Sequence, residues 1–154
     1  MIAIQKILIA TDFSDHSRIA LRYAAEFARV FDSQVLICNV VEASGILSQL
    51  PPGGESYFPP NLPEVHRRQS EELCAKLQAE FPAGKSEVRV VVGKPFAEIV
   101  RMAREEDVDL IVLGTHGRGA IGHMLLGSVA ERVVRKAPCP VLTVREGEHE
   151  FIMP

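Results

Sequence analysis

The chain has 154 residues, of which 47% are apolar and 24% charged, and its formal net charge is −3. This is ordinary soluble-domain composition, and a chain of this length buries roughly 70% of its unfolded surface, enough for a core without disulfide or metal. No basic run offers a footprint for a nucleic-acid backbone and no apolar run approaches membrane-spanning length, so neither nucleic acid nor membrane is an expected partner.

Residues 1–154 read as one domain in which strand and helix patterns alternate. Lys6 to Ala10 is a β-rich apolar run that ends at Thr11 and Asp12, and Ser14 is a good N-cap for the next segment. Ala20, Tyr23, Ala24, Phe27, Ala28 and Phe31 recur at helical spacing and predict one apolar stripe. Gln34 to Val41 is too apolar for a strand wet on one face, so the opening unit reads as βαβ with a parallel sheet.

The rhythm breaks between Ala43 and Pro63, a proline- and glycine-rich stretch that predicts a long loop placed to cover a cleft. Glu64 to Phe81 predicts a helix with Leu73, Leu77 and Phe81 on its inner stripe. Val88 to Val92 alternates with Glu87, Arg89 and Val91, as an edge strand would. Phe96, Ile99, Val100 and Ala103 mark a third helix, with Pro95 near its start. Leu110 to Leu113 is the most apolar strand. Ala130, Val133, Val134 and Ala137 mark the last helix, Pro140 to Arg145 the last strand, and Glu146 to Pro154 a tail.

Such a series of strands and helices requires an open, doubly wound α/β sheet with helices on both faces. Ligands of these sheets sit at the carboxyl ends of the strands, where the strand order reverses. That rule alone draws attention to Thr11, Asp12, Val40, Val41 and Gly114.

The stretch from Gly114 to Ser128 leaves a buried strand and enters a helix N-terminus. Glycines let a backbone approach a ligand, and the first N–H groups of a helix form an anion site. The N–H groups of Gly127 and Ser128, with the Ser128 hydroxyl, are candidate phosphate donors. Ser128 and Glu131 also form Ser-x-x-Glu, a capping box that needs no ligand, and the two readings are compatible. Gly117, Gly119 and Gly122 satisfy Gly-x-Gly-x-x-Gly, but after the fourth strand rather than the first, which speaks against a dinucleotide fold. No Gly-Lys-Ser/Thr lies within this stretch, so it offers no Walker lysine for γ-phosphate chemistry.

Gly114-x-x-Gly117, nine residues and then Gly127-Ser128 resembles the ATP-binding signature of the universal stress protein family. Ile7 to Ser14, Val112 to Gly119, Leu126 to Val133 and Ala137 to Leu142 are similar to that family as well. The likeness runs from about Lys6 to Arg145.

The resemblance implies five mainly parallel strands in the order 3-2-1-4-5 and ATP (or ADP or AMP) with Mg or Mn at the gap between strands one and four. By position, Ala10, Thr11 and Asp12 would line the nucleoside side, and Val40 or Val41 would contact adenine. Gly114, Thr115 and Gly117 would line the ribose and phosphates, and Gly127, Ser128 and Val129 would cradle the phosphates. Arg118 is a further candidate for a phosphate, or an exposed loop arginine. The edge strand Val141 to Val144 carries no protective lysine or internal proline and predicts a homodimer, as the resemblance does.

Three scattered cysteines without a Cys-x-x-Cys pair, and no leader pattern at the N-terminus, suit a reduced, cytoplasmic compartment. The leading expectation is a stress-response binding protein in which nucleotide is a conformational ligand that acts on an unidentified protein partner, with slow or no hydrolysis. A weak ATP hydrolase or nucleotidyl-transfer enzyme and a nucleotide-independent dimeric interaction protein are the alternatives. Metal ligands from the protein alone are not expected.

Overall fold

The computed structural model describes residues 3–42, 61–82, 84–115 and 126–145. Five strands, β1 (Lys6–Ala10), β2 (Gln34–Val41), β3 (Ser86–Val92), β4 (Leu110–Gly114) and β5 (Val141–Val144), alternate with four helices, α1 (Asp15–Phe31), α2 (Leu62–Leu77), α3 (Pro95–Glu105) and α4 (Ser128–Lys136). All pairings are parallel and the order is β3-β2-β1-β4-β5. The sheet is therefore the doubly wound one expected, with its reversal between β1 and β4.

Strand alternation divides the core into two layers. Ile7, Ile9, Val35, Ile37, Val41, Val112 and Val144 pack beneath α1 and α2. Leu8, Leu36, Cys38, Ile111 and Leu113 pack beneath α3 and α4. Both faces are covered, which is why the central strands read as continuous apolar runs.

Two helical faces differ from expectation. In α1 the buried residues are Ser17, Ala20, Leu21, Ala24, Ala25 and Ala28, while Tyr23 and Phe31 are each 44% exposed. Small side chains let the helix lie close to the sheet, and the large rings are turned to its flanks. In α2 the inward residue is Cys74, while Leu73 is 41% exposed; Leu77 and Phe81 do face the core. α2 also begins at Leu62, with Pro63 in its first turn, where a proline costs no hydrogen bond. The expected loop thus ends before Leu62, and its residues 43–60 lie outside the described residues, as does the tail 146–154.

The amino end of the sheet is held by charge. Asp109 Oδ2 accepts from the amides of Gln5 and Lys6 at 2.8 and 2.9 Å. Glu106 reaches Lys6 Nζ and Arg89 Nη2, each at 3.1 Å, and so joins β1 to β3 across β2. No helix among the described residues is long and apolar enough to cross a membrane.

Candidate functional site

The turn after β1 is built by its own side chains. Ser14 caps α1 by accepting from the Ser17 amide at 3.3 Å, and its hydroxyl donates to Asp12 Oδ1 at 2.5 Å. The Ser14 amide donates to the same oxygen at 3.0 Å. Ser17 Oγ spends its single hydrogen on the Ser14 carbonyl, so the 3.0 Å contact between Thr11 and Ser17 is donated by Thr11. Thr11 Oγ1 in turn accepts from the Phe13 amide at 3.0 Å. These bonds hold Phe13 at φ 64°, a left-handed conformation that a bulky residue rarely takes.

Thr11 is also fixed through its backbone. Its amide donates to Cys38 O at 2.9 Å, and its carbonyl accepts from Asn39 Nδ2 at 2.8 Å. No sequence motif singles out Asn39. A lone amide inside an apolar strand is the available signal, since a buried polar group must find partners.

At β4 the chain is tied from both sides. The Thr115 amide donates to Val144 O at 2.8 Å, and the Thr115 carbonyl accepts from the Gly127 amide at 2.6 Å. The strand end and the start of α4 are thus bonded together, and residues 116–125 between them lie outside the described residues. Gly117 and Arg118 are among these. Gly114 packs against α1: a Cβ there would lie 3.0 Å from the backbone C and O of His16. The absent side chain at Gly114 therefore already has a structural reason.

The expected capping box does not form. Gly127 is the N-cap of α4 and Ser128 is its first helical residue. No side chain caps the helix, and the Glu131 carboxylate turns forward to Arg135 Nη2 at 3.0 Å rather than back to the helix start. The first intrahelical bond runs from the Glu131 amide to the Gly127 carbonyl at 2.9 Å. Because the Gly127 amide is taken by Thr115, the donors left at the helix start are the amides of Ser128, Val129 and Ala130 and the Ser128 hydroxyl.

Val40 and Val41, at the end of β2, point to opposite faces. Val41 belongs to the layer under α1 and α2. Val40 lies with Ala10, Leu126 and Val129 on the other side of the sheet. Ala10, Val40 and Val129 thus share a face, with Thr115, Gly127 and Ser128 at the neighbouring strand end, whereas Val41 is turned away into the opposite layer. A groove of about 700 Å³ lies elsewhere, between α3 and α4. Its walls are Phe96, Ala97 and Val100 with charged residues around them, and none of the strand-end residues lines it. Among the described residues no three His, Cys, Asp or Glu side chains group as a metal site.

The thiols are not poised for chemistry. Burial pushes the Cys38 thiol far up, and burial with the nearby Glu71 charge pushes Cys74 up to about 12.

A doubly wound parallel α/β sheet whose reversal point faces a glycine-bounded helix start defines a class of proteins. The universal stress protein family model matches residues 3–145, and the chain belongs to that family. It is 37% identical over 148 residues to universal stress protein MJ0531 of Methanocaldococcus jannaschii, spanning 95% of this chain and 85% of that protein. Against universal stress protein MJ0577 of the same organism the identity is 32% over 155 residues, spanning 92% and 94%. The solved structure of MJ0577 superposes with a TM-score of 0.82 over 95% of this chain and 99% of that one. A universal stress protein solved in complex with cAMP is 28% identical, with a TM-score of 0.60 over 94% and 98%.

Proposed function

We propose that this chain binds an adenine nucleotide, ATP or its ADP or AMP relatives, at the carboxyl ends of β1 and β4. The observation that carries this reading is the start of α4, where the Ser128, Val129 and Ala130 amides and the Ser128 hydroxyl stand beside the sheet reversal. Unpaired amides at a helix start favour phosphate through hydrogen bonds and the helix dipole. Ala10, Val40 and Val129 supply an apolar wall for the base on the same face. The family member solved with cAMP supports an adenine nucleotide as the ligand.

Asp12 is the carboxylate nearest to this end of β1, with Oδ1 already accepting two bonds from Ser14. Its role is to orient a ribose hydroxyl or a metal-bound water. Mg or Mn would ride on the nucleotide phosphates, since among the described residues no cluster of acidic or imidazole ligands is in place to hold it. Gly114, Thr115, Gly117 and Arg118 complete the proposed phosphate side.

The nucleotide acts as a conformational ligand within one domain spanning residues 1–154. It biases the loops around the cleft and thereby a surface for a protein partner in the cytoplasmic stress response. With no Walker lysine in the glycine-rich stretch, hydrolysis is slow: turnover stays below about 1 s⁻¹, under the usual enzyme range. The chain assembles as a homodimer through β5, an edge of the sheet.

Ser128→Pro tests the phosphate reading. Gly127 has φ −69° and ψ 157°, the extended conformation that a following proline requires, and proline is well tolerated at the first helical position. The variant keeps α4 but removes one amide and the hydroxyl. Calorimetric titration with Mg-ATP is expected to show at least a tenfold loss of affinity, with unchanged circular dichroism. Wild-type affinity in this variant would refute phosphate binding at the start of α4.

A further inference from the structure

On the other face of the sheet, α1 and α2 leave a cleft of about 170 Å³ between them. Its walls are apolar: Phe13, Leu21, Leu73 and Leu77. Arg18 and Lys76 stand on it, both exposed, and neither is paired with a carboxylate among the described residues. Thr11 also lines the cleft, but its hydroxyl hydrogen is already given to Ser17, so it has none to donate to a ligand there. The interior therefore asks for hydrocarbon and the rim for a single negative charge.

Two features set the cleft apart from an ordinary gap in packing. Leu73 stands half out of the core at 41% exposure although it borders apolar space. Phe13 reaches the same space from a left-handed backbone conformation that four side-chain bonds in the Thr11 to Ser17 turn maintain. An aromatic ring held at such cost beside unfilled apolar volume is a wall fixed in place.

We propose that this cleft is a second ligand site, for a small amphipathic monocarboxylate whose tail lies against Leu21, Leu73 and Leu77 and whose carboxylate is held by Arg18 and Lys76. A cavity of on the order of 150 Å³ takes a benzene-sized group, which sets the tail at about five or six carbons. Phe13, Leu21 and Leu77 pack with the layer under α1 and α2, whereas Ala10, Val40 and Val129 lie on the other side of the sheet, so the cleft and the proposed nucleotide site adjoin only at the Thr11 to Phe13 turn. Hexanoate, with eight heavy atoms, should bind with a dissociation constant on the order of 1 mM.

The test uses the full chain with labelled leucine methyls, titrated with hexanoate and, separately, with hexan-1-ol. Saturable shifts of the Leu21, Leu73 and Leu77 methyls are expected with hexanoate, and at least fivefold weaker binding of the alcohol. Arg18→Glu with Lys76→Glu should weaken hexanoate tenfold or more and leave the alcohol unchanged; both positions are exposed, so the fold is retained. Leu73→Trp, also at an exposed position, should fill the cleft and abolish both. The proposal is overturned if no saturable shift appears by about 10 mM hexanoate, several times the expected constant. It is equally overturned if acid and alcohol bind alike, or if the charge-reversed variant binds hexanoate as the wild type does.

Discussion

The Gly127 amide donates to the Thr115 carbonyl at 2.6 Å, so the end of β4 and the start of α4 are bonded directly. That bond fixes which groups remain at the helix start. It also separates the roles of two adjacent residues, because Gly127 closes the junction while Ser128 opens the helix.

Ser128→Ala should leave stability within about 0.5 kcal/mol of wild type, since no cap is lost at the first helical position. If the hydroxyl holds a phosphate, the same change weakens Mg-ATP roughly tenfold. Urea midpoints and calorimetric titration, run on one preparation, separate the two. A large stability loss with unchanged nucleotide affinity would return the hydroxyl to a purely structural role.

Gly114→Ala should destabilise the fold by about 1–3 kcal/mol, the usual range for overpacking. Its methyl would meet the backbone of His16 at 3.0 Å, and a helix backbone cannot move aside as a flexible side chain can. Thermal melting is the measurement. A midpoint equal to wild type would mean that α1 shifts freely over β4.

The Lys6 hydrogen bond, followed by the Lys6 and Arg89 charges, holds the Glu106 carboxyl below its usual value. A carboxylate lowered by folding stabilises the native state above its unfolded pKa, and that stabilisation is lost as pH falls through the folded value. Glu106→Gln should therefore lower the urea midpoint at pH 7. The gap from wild type should close on acidification below the usual carboxylate range. A gap that persists at pH 2 would assign the effect to packing.

Native protein should resist thiol labelling at pH 8. Cys38 and Cys74 are fully buried and their thiols are raised by burial, and half-buried Cys139 is raised as well. Labelling in urea should recover all three thiols in the sequence. Rapid reaction of two or more thiols in the native state would show that the core opens readily.

For the proposed dimer, Thr143→Pro is the informative change. The carbonyls of Pro140 and Val144 accept from Ile111 and Thr115 of the neighbouring chain segment. The parallel ladder then directs the backbone groups of Val141 and Thr143 toward the open edge. Proline at Thr143 removes an outward donor without breaking the pairing with β4. Val144 is unsuitable for such a test because it lies in the core at 6% exposure. Sizing at micromolar concentration should give a dimer for wild type and a monomer for the variant.

Much of the architecture was legible from residue order. Apolar runs such as Gln34 to Val41 and Leu110 to Leu113 announce strands buried on both faces, and Ser14 announces the start of α1 through its capping oxygen. The end of the molecule that carries the glycine-rich stretch follows from the alternation of strand and helix, while the place of the sheet reversal came with the family resemblance. These features depend on local chemistry and chain connectivity, which residue types in order encode.

The sequence by itself therefore determined the fold class, the family and the region of the proposed site. Only tertiary structure decided which face of each helix is inward, because the nearness of α1 to the sheet selects alanines over Tyr23 and Phe31. It also decided that Gly127 rather than Ser128 caps α4, because a bond to Thr115, distant in sequence, fixes where the helix begins. Which layer Val40 and Val41 each face, the clamp of Asn39 on Thr11 and the cleft between α1 and α2 arise in the same way. Each depends on what lies across space from a residue, and a local pattern carries no record of that.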